Sequence, residues 1–342
     1  MGTILVKKMK KIILIIVAVF TVGMFVGCGG MGSQGTGLLS SSGRSGEVLI
    51  VCDNNHWKGV LGDSLQAIFM QSVFGLPQQE PMFLLSHISE DRFREAYKKQ
   101  RNIIYFTIDE SIENPKVVVN RDPWARPQLL VRITAKDEQQ AIATVSEYQH
   151  VITNYLLDSE MKRFQRSQRS NQDFKISSEI KKGFNISMVI PDGFFFAVND
   201  TNFCWLRKDT KDWTQNILVY TQEYTDTNQF KNEAIVKLRG TYTQQYVFGS
   251  IDSSYAVVDE RYIPTRSEYM ALDEQYAIRT AGLWKMEKDF MGGAFVNMSV
   301  LDAENNRIIT IDGFLYAPTN EKRDLLRQLE AIILSTKLKE ID

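Results

Sequence analysis

Apolar and polar positions divide this 342-residue chain into three regimes. Residues 12–26 are almost continuously apolar, residues 29–46 are small and polar, and from residue 47 short apolar runs alternate with amphipathic stripes. The run "EVLIVC" at 47–52 suits a strand covered on both faces. A helix follows it, started by Asp63 or Ser64, with Leu65, Ile68 and Phe69 at the i, i+3, i+4 spacing of one buried face. Residues 83–88 read as extended, 90–99 as a short helix and 102–108 as a second buried strand, with further strands at 116–120 and 128–134. Across 137–164, Ala141, Ile142, Val145, Tyr148, Ile152, Tyr155 and Leu156 form one stripe, which predicts a long amphipathic helix.

The polar stretch "QRSQRSNQD" at 165–173 predicts a domain boundary. Beyond it, residues 184–190 read as a strand and Pro191-Asp192-Gly193 as a turn. Strand-type runs recur at 194–198, 203–206, 217–220, 255–259, 275–286, 294–301 and 307–316, with Asn305-Asn306 as a hairpin turn and a helix near 228–238. Leu325, Leu326, Leu329, Ile332 and Ile333 make the stripe of a closing helix that Pro318 and Thr319 introduce. The expected fold class is α+β: an α/β-type sheet with a long helix over 47–170, then a mainly antiparallel sheet closed by a C-terminal helix over 171–342.

Lys7, Lys8, Lys10 and Lys11 precede the first apolar run and Gly27 follows it, the order of a secretory signal peptide. Fifteen residues are too few for an ordinary transmembrane span, which needs about 20. Phe25-Val26-Gly27-Cys28 looks like a bacterial lipobox, with Phe25 in place of the usual aliphatic residue. On that likeness residues 1–27 are a leader, and Cys28 carries a diacylglycerol and a further chain such as palmitate. Several chains hold a residue in the membrane where one does not, since each buried methylene adds about 0.8 kcal/mol.

Twelve of the eighteen residues from 29 to 46 are Gly or Ser. The segment 28–46 therefore reads as a tether, with a typical reach of about 23 Å. Loss of the leader leaves 36 basic against 41 acidic residues, a formal charge of −5, which removes any broad basic excess for nucleic acid. Besides Cys28 there are only Cys52 and Cys204. Export permits a disulfide between them, while their apolar neighbours suit buried thiols; the sequence leaves both open.

His56, His87 and His150 are the only histidines, and none has a second ligand at metal-site spacing, so no metal or cofactor is expected. Three clusters are candidates for binding. "CDNNHWKG" at 52–59 follows a strand end, where α/β sheets place ligands. There Asp53 and His56 can share a proton and Trp57 can supply a flat apolar face; alternatively Asp53 and Asn54 turn the chain and Trp57 covers the sheet. "RDPWARPQ" at 121–128 sets Trp124 between Arg121 and Arg126, the composition of an interface hot spot or of a rigid loop whose Trp packs inward. "GLWKMEKDFMGGAF" at 282–295 places Trp284 and Met286 on one face of a strand, Lys285 and Glu287 on the other, and Gly292-Gly293 in a turn. Glu287 and Asp289, two apart, point the same way in a strand; with Asp53 they are the carboxylates a hydrolase would use. Lys162, Arg163, Arg166 and Arg169 read as cations complementing the C-terminal pole of the long helix.

The segments "EVLIVCDNNHWKGVLGDSL", "GLPQQEPMF", "RNIIYFTID", "AGLWKMEKDFMGGAFVNMSV" and "GFLYAPTNEKRDLLRQLEAI" together resemble an uncharacterised domain-of-unknown-function family of envelope lipoproteins from Bacteroidota, the 4837 family. The resemblance implies a lipobox lipoprotein with no established activity, cofactor or catalytic residue. Gly29 after the cysteine and a tether without an acidic cluster favour the periplasmic face of the outer membrane. The expected role is a non-catalytic binding module, attached to the membrane by its lipid and meeting an envelope protein or glycan. The alternatives are a hydrolase of cell-wall or glycan material and a structural subunit of an envelope complex.

Overall fold

The first apolar run forms β1 (Glu47–Val51), an inner strand of a five-stranded sheet. A computed structural model describes residues 37–338 of the chain; the expected leader, Cys28 and the start of the tether lie outside them. The other strands of this sheet are β2 (Leu84–Ile88), β3 (Asn102–Ile108), β4 (Lys116–Arg121) and β5 (Leu129–Ala135), in the order β2-β1-β3-β5-β4. All pairings are parallel except the edge pair β4–β5. Both faces of the inner strands are covered, which is why they lack polar alternation. Val48, Ile50, Ile104 and Val131 pack against helices, and Leu49, Val51, Ile103 and Leu130 pack on the opposite side with Phe93 and Trp124.

After β1 come a single turn, α1 (Asn54–Trp57), and α2 (Val60–Phe69). Helix α2 starts three residues before the expected Asp63, which falls in its first turn. Gly62 permits the early start: a Cβ there would lie 1.8 Å from the Trp57 carbonyl oxygen. Residues 90–99 do not form the expected helix but two 3₁₀ turns. Phe93 leaves the helical region and sets its ring edge-on to Tyr105 and Trp124, so burial of one aromatic outweighs one helical turn.

Helix α3 (Glu138–Ser170) starts at Asp137, whose carboxylate accepts from the Gln140 N–H, and continues through most of the expected polar boundary. Ala141, Val145, Ile152 and Leu156 are buried as the stripe requires, whereas Tyr148 and Tyr155 are exposed. Its last two turns are polar because they bond to another helix: Gln168 Nε2 donates to the Gln328 carbonyl at 2.8 Å. Arg163 is also not the exposed dipole partner expected. It is buried, donates to Glu160, Asn102 and the Arg101 carbonyl, and burial draws its pKa down to about 10.

Helix α4 (Phe174–Phe184) was not anticipated, and residues 185–190, expected as a strand, follow it as irregular chain with one bridge, between Ser187 and Lys337. The signals of α4 are the Asp173 cap, the buried positions Ile176, Ile180 and Phe184, and left-handed Asn185 at its end. The second sheet has β6 (Phe195–Asn199), β7 (Phe203–Asp209), β8 (Thr214–Glu223), β9 (Tyr255–Val258), β10 (Arg266–Leu272), β11 (Gln275–Glu287), β12 (Gly292–Asp302) and β13 (Arg307–Tyr316). Every pairing is antiparallel, in the order β9-β11-β12-β13-β8-β7-β6, with β10 also on β11. Strand β10 was missed because its alternate positions are mostly exposed. The sheet is curled, and the fold class is α+β.

One face of the second sheet packs Ile217, Val219, Met298 and Ile311 against α4 and the closing helix α6 (Arg323–Ile333). The other face lies under α5 (Asn232–Tyr246) and carries a buried ion pair. Arg239 donates to Asp312 through Nε at 2.8 Å and Nη2 at 3.2 Å, Asn297 donates to the same carboxylate at 3.0 Å, and the guanidinium lies 4.1 Å from the Phe295 ring centre.

From Leu39 onward the chain packs as one unit, so the folded body begins inside the segment expected to be tether. Leu39–Ser40 runs parallel to Ala125–Arg126. Glu160 on α3 accepts from the Gly46 N–H at 3.0 Å, and Arg323 on α6 donates to the Ser45 carbonyl at 3.1 Å. Glu80 accepts from the Lys322 and Arg323 N–H groups at the start of α6, as a carboxylate at a helix N-terminus should.

Candidate binding site

Strands β11 and β12 form a hairpin whose turn, residues 288–291, projects from one end of the second sheet. Trp284 and Met286 face inward and Lys285 and Glu287 are partly exposed, as alternation predicts. Gly292 and Gly293 are not the turn: they open β12. A Cβ on Gly293 would come within 2.1 Å of the Leu315 carbonyl oxygen, the atom that accepts the Trp284 indole N–H at 3.1 Å. The glycine therefore makes room for the indole.

Two adjoining cavities share Trp284, Met286 and Met291 as walls. One, of about 610 Å³, adds Leu283, Phe290 and Tyr262. The other, of about 290 Å³, adds Trp205, Phe314, Tyr316 and Val247. Both indole N–H groups are spent, on Asn216 at 3.0 Å and on Leu315, so the walls offer aromatic faces and thioethers, which adapt to varied apolar shapes. At the edge, Arg207 lies 5.3 Å from the Trp205 ring centre and pairs with Asp209; its Nε is buried without a hydrogen-bond partner.

The carboxylates here are engaged separately. Strand β11 ends at Glu287, and left-handed Lys288 breaks the alternation that would align Glu287 with Asp289. Lys285 binds Glu287 at 2.9 Å and holds its pKa below the ordinary value. Asp289 accepts from Ser250 Oγ and the Phe290 N–H. Asp259 takes a two-pronged bond from Arg261, which lowers its pKa as well. A general acid is kept protonated by burial; Glu287, half exposed, is shifted the opposite way.

The other candidates lie on the first sheet. Asp53 caps α1 without a side-chain bond, and His56 meets Glu138 at 3.2 Å rather than Asp53. Trp57 stacks on His87 with 5.0 Å between ring centres, and His87 Nε2 lies 2.9 Å from the Cys52 carbonyl oxygen. Arg121, Trp124 and Arg126 diverge: Arg121 pairs with Asp158, Trp124 packs on Phe93, and Arg126 pairs with Asp122. Cys52 and Cys204 are unpaired and buried in different cores. Among the described residues no group of three or more His, Cys, Asp and Glu gathers to hold a metal ion. Sequence reasoning found Trp284, in a cluster that also contains Met291, but missed Trp205 and Arg207 as its neighbours. Their only local signal is that Trp205 and Arg207, two apart on a strand, share a face.

Residues 173–335, which include every wall residue named above, match the family model of a domain of unknown function, DUF4837. This region of the chain belongs to that family. Residues 41–169 match a second model, also a domain of unknown function, DUF8532. The resemblance expected along nearly the whole chain thus divides between two models that meet at the end of α3; the cavities lie in the DUF4837 part except that Pro77, from the other, also lines the larger one. A comparison with curated proteins finds no match. Among solved structures, a mutant of protein Mog1 has a TM-score of 0.29 at 9% identity, over 45% of this chain and 90% of that one. The Saccharomyces cerevisiae Ran-binding protein Mog1p has 0.29 at 10%, over 45% and 89%. Human STARD10 has 0.23 at 6%, over 47% and 80%. At these scores the likenesses carry no argument about this chain.

Proposed function

We propose that this chain is a lipid-anchored envelope protein, on the periplasmic face of the outer membrane, whose folded body is a non-catalytic binding module. Its ligand sits against Trp284, Met286 and Met291. The single observation behind this reading is the pair of adjoining cavities walled by indole faces and thioethers, the profile of a site that recognises an apolar body. The separate engagement of Asp259, Glu287 and Asp289 argues against the hydrolase alternative, and cavities of this size argue against a purely structural subunit.

The test uses the anionic apolar dye anilinonaphthalene sulfonate as probe. The native protein should bind it saturably, and Met291→Trp, which fills the shared wall, should abolish binding while leaving far-ultraviolet circular dichroism and the urea midpoint unchanged. Equal binding by both proteins would remove the site. Mass spectrometry of the protein extracted from membranes tests the anchor: Cys28 should carry acyl chains.

A further inference from the structure

Large apolar side chains from three loops stand in water around the two cavities, Phe290 and Tyr262 lining the larger and Phe248 the smaller. Phe290, on the β11–β12 turn, is fully exposed; Tyr262 is 76% exposed, Phe248 61% and Ile251 47%. The loops are joined. Ser250 Oγ donates to Asp289 at 3.1 Å, Phe248 bridges Tyr255, and the Asp259 N–H donates to the Leu283 carbonyl at 2.8 Å. Asp259, Glu260, Glu287 and Asp289 are engaged with Arg261, Thr265, Lys285 and Ser250; among the described residues the charges here without a bonded partner are Asp252, beside Ile251, and Lys288, beside Phe290 at the tip.

We infer that these three loops dock on a lipid bilayer, with Phe290, Phe248, Ile251 and Tyr262 in the interfacial layer and Lys288 facing anionic headgroups, and that the cavity behind them takes an acyl chain from that surface. The acyl-chain part rests on the binding-module reading above. Four features select lipid over a protein partner. The side chains stand as separate tips rather than as a packed patch around a buried centre, unlike a protein hot spot. Aromatic residues beside Lys and Arg make up the belt found at membrane interfaces. At the most exposed tip, beside Phe290, the unengaged charge is the Lys288 cation, which complements anionic lipid, while unengaged Asp252 stands on the neighbouring loop. Finally, the expected anchor at Cys28 lies eleven residues before Leu39, a span of at most about 40 Å, so the body stays within reach of the bilayer.

The experiment places an environment-sensitive fluorophore on Phe290→Cys and, as control, on Phe195→Cys, which is exposed on the far edge strand β6. Cys52 and Cys204 are buried and stay unlabelled; label taken up by the parent protein sets the background. The full acylated chain is reconstituted in vesicles of phosphatidylethanolamine and phosphatidylglycerol carrying a lipid-borne quencher. The label at 290 should be quenched several-fold more than that at 195, and less in vesicles without phosphatidylglycerol. Equal quenching overturns the docking, as does shielding of 290 in native membranes without quenching by lipid, which would mean a protein partner. A second arm holds the chain in amphipol and adds a brominated fatty acid below its micelle concentration. Quenching of tryptophan emission that Trp284→Phe removes, with no lipid quenching at 290, would leave the binding module standing and overturn the bilayer as source. If both arms are silent, both readings fall.

Discussion

The buried pair Arg239–Asp312 permits a quantitative prediction. Arg239 is 1% and Asp312 0% exposed, with two hydrogen bonds between them. Asp312→Leu leaves a guanidinium facing only the Phe295 and Phe314 rings and takes an acceptor from Asn297. Arg239→Met leaves a carboxylate holding one amide bond. Removing one partner of a buried pair costs about 3–5 kcal/mol, whereas replacing both by apolar residues of similar volume is often neutral or stabilising. Each single variant should therefore lower the urea midpoint by an amount worth about 3–5 kcal/mol at unchanged slope, and the double variant should be more stable than either. Helix α5 leads directly into Val247 and Phe248, which line the smaller cavity. The single variants should accordingly also loosen dye binding. Additive losses, with the double variant the least stable, would refute the claim that the two charges act as one unit.

Further tests follow from other contacts. Gly293→Ala forces a Cβ into the Leu315 carbonyl and displaces the Trp284 indole bond; overpacking and an orphaned N–H together should cost about 2–5 kcal/mol in urea unfolding, with loss of dye binding. Burial pushes the Cys52 and Cys204 thiols up to about 12, so iodoacetamide at pH 8 should label neither until the protein is unfolded. Since those folded pKa values are raised, their contribution to stability is complete below the unfolded value near 9 and is lost between about pH 9 and 12, which an alkaline urea titration would show. Glu80→Ala strips the start of α6 of its acceptor and should cost about 0.5–2 kcal/mol, seen as faster hydrogen exchange in the first turn of α6.

Strongly patterned elements could be read from composition alone: β1 and β3, covered on both faces, and α3 and α6, whose apolar stripes persist for several turns. What failed depended on partners far along the chain. The tail of α3 looks like a linker because its glutamines satisfy carbonyls of a helix 160 residues away. Residues 39–46 look like free tether because Gly and Ser conceal backbone bonds to Arg126, Lys99 and Glu160. Gly293 reads as a turn because its need for a missing Cβ arises from β13, a strand the local sequence does not mention. The Trp284 cavity was half visible for the same reason. One strand displays its own alternation, but the order of β7, β8, β13, β12 and β11 that brings Trp205 and Phe314 beside Trp284 is decided by pairing across the whole sheet.

The bonds at Ser45 and Gly46 bear on how the molecule carries mechanical load. A pull arriving from the N-terminal side meets Glu160 and Arg323 before it reaches β1, and those residues belong to different halves of the body. Tension is thus divided between α3 and α6 at the point of entry, and neither sheet is peeled open strand by strand. A single-molecule pull on this end should first strip the pairing of residues 39–42 with Lys99 and Arg126 and then meet that clamp, and Glu160→Ala should lower the force at which the first core strand gives way.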